Sequence, residues 1–143
     1  MAALRWYSGE VKERYGLSVE FSAEGEEKDL PTEVRVVLFR IIQEGLTNII
    51  RHARVNQAKV QVVYTEHTVS VIISDKGHGF DVDTTLHEPG HPCWGLLGMF
   101  ERAALIEGKC QISSKLGEGT LIEVTVPIKE EQPHAENSTP AGG

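Results

Sequence analysis

The segment PTEVRVVLFRIIQEGLTNIIRHA, from Pro31 to Ala53, constrains the fold more than any other part of the chain. Pro31 and Glu33 mark a helix start: proline is tolerated in a first turn, and an acid there meets the positive end of the helix dipole. At about 100° per residue, Leu38, Ile42, Leu46, Ile49 and Ile50 fall within an arc of roughly 120°. A stripe of that width has to be covered by a second layer. The rest of the sequence supplies strands to cover it. AKVQVVY and TVSVIIS alternate or run apolar on either side of TEHT, which predicts an antiparallel pair. CQISSKLGEGTLIEVTVPI has the pattern of a second hairpin turning at Gly117-Glu118-Gly119. Upstream, ALRWYSGEVKERYGLSVEF begins in helical spacing and changes at Gly16 to the alternation Leu17, Val19, Phe21 of a first strand. GLLGMFERAALIEG is helical again and stops at Gly108, a natural C′ residue. There are no internal repeats.

Composition narrows the functional classes. The 143 residues make one domain, with 40% hydrophobic and 24% charged residues, as expected for a soluble globular protein. The net charge of −7 leaves no basic footprint for nucleic acid, so any phosphate must be met by local donors and a metal. Cys93 and Cys110 lack metal-site spacing and read as free thiols in a reducing cytoplasm. No apolar run approaches the roughly 20 residues that span a bilayer, and no signal peptide is present. The domain is therefore expected to be cytoplasmic, without direct membrane contact, and could be a piece of a larger protein. From Lys129 the tail KEEQPHAENSTPAGG has no core-forming residues and reads as disordered.

The long helix also has a polar side. Glu44, Asn48 and Arg51 fall within roughly 60° of one another, flanked by Thr47 and His52. Such a face is ordinarily just solvated. Its chemistry admits more, because a carboxylate and a carboxamide one turn apart are oxygen ligands for a hard cation such as Mg²⁺. Arg51 and His52 could meet phosphates that the metal carries. After the second strand the chain from Asp75 to about Trp94 is rich in Gly, His, Asp and Pro, and a loop that long in a compact domain is usually functional. It opens with SDKGHGF, in which Asp75 could accept a hydrogen bond from an exocyclic amine. Gly77 and Gly79 permit close approach of a ligand, though a bare turn reads the same way. The segment lacks the oxygen side chains of a calcium loop and fits neither the P-loop nor the Rossmann fingerprint. GLLGM, Gly95 to Met99, sets small residues where a helix begins, a favourable place for anions or a plain junction. GEGT is either a hairpin turn or a turn that brings the Thr120 hydroxyl to the same ligand. Finally, HEPGH matches H-E-x-x-H by letter only, since Pro89 and Gly90 break the helix that a zinc site needs.

RIIQEGLTNIIRHA, DKGHGF, GLLGM and GEGT occur in that order, and the series resembles the N, G1, G2 and G3 boxes of the ATP-binding domain shared by sensor histidine kinases, gyrase, Hsp90 and MutL. QEGLTNIIRHA and WGLLGMFERA look most like the histidine kinases that signal to response regulators with helix-turn-helix outputs. The resemblance covers about residues 15–128. It implies an α/β two-layer sandwich, a mixed and mostly antiparallel sheet with helices on one face, binding ATP and Mg²⁺. It implies that Asn48 ligates Mg²⁺, that Glu44 ligates or orients the metal shell or the reacting centre, and that Arg51 and His52 contact phosphates. Asp75 would accept from the adenine amine, Gly77 and Gly79 would admit the nucleotide, and Thr120 would support the adenine pocket. Gly95, Leu96 and Gly98 would cradle the triphosphate. Phe80 to Trp94 would be a lid, mobile until ATP binds. Two departures stand out: Gly45 where alanine is common, which could ease packing on the nucleotide, and Lys76 inside the G1 box.

A histidine kinase carries its phosphoacceptor histidine on a dimerising helical hairpin, and no such helix lies in this chain. Residues 1–14 are expected to be the junction that follows that hairpin, residues 15–128 the catalytic domain and 129–143 the tail. Implied partners are the parent kinase's histidine-bearing dimerisation domain and a cognate response regulator. An anti-sigma-factor serine kinase or an ATPase switch of the same superfamily is the alternative. A zinc site built from His78, His87, His91 and Cys93 is a third reading, from a different functional class.

Overall fold

The computed structural model describes residues 2–53, 55–77, 79 and 94–128, without the side chains of 52, 53 and 94–96. Helix α1 (Ala2–Tyr15) leads into strand β1 (Ser18–Glu24). The long helix follows as α2 (Thr32–Asn48) and runs on into a π turn (Ile49–Ala53). Strands β2 (Gln57–Tyr64) and β3 (Thr68–Asp75), helix α3 (Trp94–Leu105), and strands β4 (Lys109–Lys115) and β5 (Gly119–Pro127) complete the chain. The proposed lid residues 80–93, the zinc candidates His78, His87, His91 and Cys93, and the tail 129–143 lie outside the described residues.

The five strands form one mixed sheet in the order β1-β2-β3-β5-β4. The predicted β2–β3 pair is antiparallel, with Val62 opposite Val71, and so is the β4–β5 hairpin, with Ile112 opposite Ile122. Antiparallel pairing of β3 with β5 joins the two hairpins. Only β1 is parallel to its neighbour β2, as the crossover through α2 allows. One sheet face is buried: Val60 and Val62, Val69, Val71 and Ile73, and Ile122, Val124 and Val126 are all at most 5% exposed. Leu38, Ile41, Ile42, Leu46 and Ile49 of α2 and the π turn share this core with Met99, Ala103 and Ile106 from α3 and the turn after it, and with Val11 and Leu17. This is the expected two-layer α/β sandwich.

Two details depart from the sequence reading. Ile41 is fully buried, widening the stripe, and Ile50 is only half-buried, on a segment that leaves α-helical geometry after Asn48. A π turn bonds i to i+5, so it shifts the phase of the residues that follow. Helix α3 ends one residue earlier than the glycine suggests. Glu107 takes the left-handed conformation, φ 60°, while its N–H bonds Ala104 O at 3.1 Å and that of Gly108 bonds Ala103 O at 2.8 Å. That pair of bonds makes Glu107 the C′ residue and Gly108 the C″ residue of a Schellman end. Gly108 is small for a different reason: a Cβ there would lie 3.0 Å from the Thr125 carbonyl oxygen of β5.

Candidate functional site

β3 ends in Asp75, a buried carboxylate at 8% exposure. Its Oδ1 accepts the Gly77 N–H at 2.7 Å, closing a side-chain turn two residues on. Burial pushes the carboxyl above its ordinary range, and the Gly77 N–H offsets part of that rise. Among the described residues no other group bonds this carboxylate, so it retains capacity to accept. Across the β3–β5 ladder Asp75 stands opposite Thr120, and Thr120 in turn faces Ser114 on β4. The Thr120 and Ser114 hydroxyls lie 2.8 Å apart, and Ser114 Oγ also donates to the Gly119 carbonyl at 3.0 Å. Ser114 escaped the sequence reading. Counting back across the hairpin from Thr120 would have found it.

Glycines hold this corner together by letting backbone meet backbone. Gly119 has φ 85°, and a Cβ on it would fall 2.2 Å from the Asp75 carbonyl oxygen. Gly79, at φ 68°, would put its Cβ 2.0 Å from the Lys115 carbonyl oxygen. The close approach at Gly79 is therefore to the β4–β5 hairpin. Asp75, Lys76, Ser114, Gly119 and Thr120 together line a cleft at this end of the sheet. Lys76 itself is exposed.

The polar side of α2 is less solvated than its sequence suggests. Glu44, Thr47 and Asn48 are all half-buried, whereas Arg51, on the π turn, is exposed. His52 shares that turn, with its side chain outside the description. Among the described residues, the buried Asn48 Nδ2 atom has no hydrogen-bond partner. A buried polar group without a partner costs about 1–3 kcal/mol, so this carboxamide is suited to a ligand. Rotating it by 180° would present oxygen to a cation instead of N–H to an anion. None of Glu44, Asn48 and Arg51 lines the cleft at Asp75. The two groups are linked through the fold: a Cβ on Gly45 would lie 2.8 Å from Ile73 Cδ1. Asn48 lies three residues past Gly45 on α2, and Asp75 two residues past Ile73 on β3. The room at Gly45 thus serves helix–sheet packing, and the expectation that it eases nucleotide packing is corrected.

On α3, Gly98 is half-buried next to buried Met99, and Gly95 and Leu96 stand in the first turn. Cys110 is a free thiol whose burial pushes it up to about 11, so it stays protonated at neutral pH. Among the described residues no group of three or more His, Cys, Asp or Glu side chains could hold a metal ion by itself. No helix among them is long and apolar enough to cross a membrane.

Comparison with known proteins bears on the family and the fold. The family described as histidine kinase-, DNA gyrase B-, and HSP90-like ATPase matches residues 33–130. The signal transduction histidine-protein kinase/phosphatase DegS of Bacillus subtilis (strain 168) is 38% identical over 124 residues, 85% of this chain and 30% of its own length. The chain thus spans less than a third of that relative. The histidine kinase domain from the Erythrobacter litoralis EL346 blue-light activated histidine kinase superposes with a TM-score of 0.68 at 19% identity, covering 89% of this chain and 64% of that one. The Acinetobacter baumannii histidine kinase AdeS reaches a TM-score of 0.70 at 14% identity, covering 90% and 63%. These two likenesses are of fold.

Proposed function

Because the chain belongs to the histidine kinase-, DNA gyrase B- and HSP90-like ATPase family, we propose that it is the ATP-binding catalytic domain of a sensor histidine kinase. It binds Mg-ATP and delivers the γ-phosphate to a histidine on a separate dimerisation domain. The observation that carries this reading is the half-buried carboxamide of Asn48, its Nδ2 buried and without a partner among the described residues, one turn from Glu44. An oxygen pair of this kind suits Mg²⁺, which takes one or two protein groups and fills its remaining positions with water and substrate phosphates. When bound, the cation neutralises charge on the phosphate oxygens. Asp75 accepts from the adenine amine and Thr120, held by Ser114, supports the same pocket. Glu44 orients the reacting centre. Arg51 and His52 contact phosphates, and Gly77, Gly79, Gly95, Leu96 and Gly98 admit the nucleotide. For phosphoryl transfer such a site contributes mainly positioning and charge stabilisation.

The similarity to DegS, a signal transduction histidine-protein kinase/phosphatase, favours histidine as the acceptor, and the downstream partner in this reading is a cognate response regulator. The domain works in the cytoplasm, where ATP is. Titration with a fluorescent ATP analogue tests the binding step: saturation is expected, tighter with Mg²⁺ than in EDTA, and Asn48→Ala, which removes the oxygen ligand, should remove the difference. Absence of saturable binding would sink the reading. Transfer of labelled γ-phosphate to the parent's dimerisation domain tests the chemistry, because phosphohistidine is acid-labile and alkali-stable whereas phosphoserine is the reverse.

A further inference from the structure

The hydroxyl of Thr120 can donate or accept, and its neighbours decide which of the two it offers to the cleft. Ser114 Oγ donates its one proton to the Gly119 carbonyl at 3.0 Å, an oxygen that can only accept. That carbonyl is held firmly by close backbone packing. Gly119 sits at φ 85° against the Asp75 backbone, and a Cβ on Gly79 would lie 3.0 Å from the Gly119 carbonyl oxygen. With the Ser114 proton committed there, the 2.8 Å contact between the two hydroxyls is left for Thr120 to donate. The protons therefore run one way, from Thr120 to Ser114 to the Gly119 carbonyl. Among the described residues the Thr120 hydroxyl has no other partner, so it offers the cleft its lone pairs. Asp75 stands opposite Thr120 on the β3–β5 ladder, where facing Cβ atoms are about 4.5–5.5 Å apart. As a carboxylate it too only accepts. Asp75, Ser114 and Thr120 all line the same cleft.

We infer that Ser114 is a specificity-determining positioning residue: by taking the Thr120 proton it leaves this corner of the cleft with acceptors only, which selects adenine over hypoxanthine. The inference rests on the ATP-binding reading proposed above. The two bases share one ring system, and hypoxanthine has a carbonyl oxygen where adenine has its exocyclic amine. The amine brings two N–H donors to a pair of acceptors. The carbonyl oxygen brings a third acceptor, with no proton to share among them. Polar groups left unpaired in this way are what let a site reject a close analogue. A serine present only for packing would leave the Thr120 proton free to turn toward the carbonyl of hypoxanthine.

The test uses the full chain and displaces a fluorescent ATP analogue with ATP and with inosine triphosphate, both in Mg²⁺. Wild type should prefer ATP. Ser114→Ala should lower that preference about 3- to 10-fold, the worth of one neutral hydrogen bond. Ser114→Thr keeps the hydroxyl and should restore the preference. On a Thr120→Val background Ser114→Ala should change it no further, because the two residues act through one bond. If the alanine variant does not fold, Ser114→Cys replaces a good acceptor by a weak one of similar size and should move the ratio the same way. An unchanged ratio in these Ser114 variants overturns the inference and leaves the proposed function intact, as does a wild type that binds ATP and inosine triphosphate alike. Equal weakening of both nucleotides marks a structural role and also overturns it. A wild-type chain that binds no nucleotide overturns the proposed function and this inference together.

Discussion

Asp75 shows at the scale of one residue how function and stability pull apart. Burial raises its carboxyl above the ordinary value of 3.8. A carboxyl with a raised folded value holds its proton more tightly in the native state, so stability is greatest when it is protonated. Stability then falls as pH rises through the window from the ordinary value to the folded one. At neutral pH the folded chain carries the full cost of the ionised group. Asp75→Asn removes that cost and keeps an oxygen for the Gly77 N–H, so the variant should melt above wild type at pH 7. Below the ordinary value, where the wild-type carboxyl is protonated in both states, the advantage should vanish. The same substitution should weaken ATP-analogue binding by about 10- to 100-fold, the worth of one hydrogen bond to a charged acceptor. Thermal melts at the two pH values and one titration check both halves. A variant that melts below wild type at neutral pH would show that the carboxylate is a net stabiliser.

Among the elements, the α2–β3 crossing decides whether the α2 polar face and Asp75 stay in register. Gly45 sits at that crossing against the Ile73 methyl, and a Cβ on it would also lie 3.6 Å from Ile122 Cδ1. Alanine would improve helix propensity by about 1 kcal/mol. It would also force a fully buried isoleucine to shift, at about 1–3 kcal/mol. The two effects oppose, and Gly45→Ala alone should be mildly destabilising. Ile73→Val removes the obstructing Cδ1 at its own cost of about 0.5–1.5 kcal/mol. The double variant should therefore be more stable than the sum of the single changes predicts, a coupling readable from urea denaturation of the four proteins. Strict additivity would mean that the helix and sheet part enough to absorb a methyl group.

For the molecule as a whole, α1 and β1 belong to the same packed unit as the residues matched by the family. Val11 and Leu17 are buried to 2% exposure, and Val19 and Phe21 pack against the core. Losing a buried aliphatic side chain typically costs about 2–5 kcal/mol, and whole domains hold only about 5–15 kcal/mol. A chain starting at residue 25 should consequently show no cooperative urea transition by circular dichroism, and a sharp two-state transition would refute that. Much of this organisation was legible beforehand. The alternation of Val60 and Val62 with Val69, Val71 and Ile73 names the strands and their buried face, since side chains on a strand alternate strictly. Leu38, Ile42, Leu46 and Ile49 likewise give the helical stripe. Local residue chemistry also singled out Asn48, Asp75 and Thr120. Sequence by itself could not say that Asp75 and Thr120 stand opposite each other, because the pairing of β3 with β5 joins residues 45 positions apart in the chain. Nor could it show that Gly45 makes room for Ile73. Periodicity reports which side of an element is apolar. What that side meets depends on how distant elements pack, and only the tertiary structure decided it.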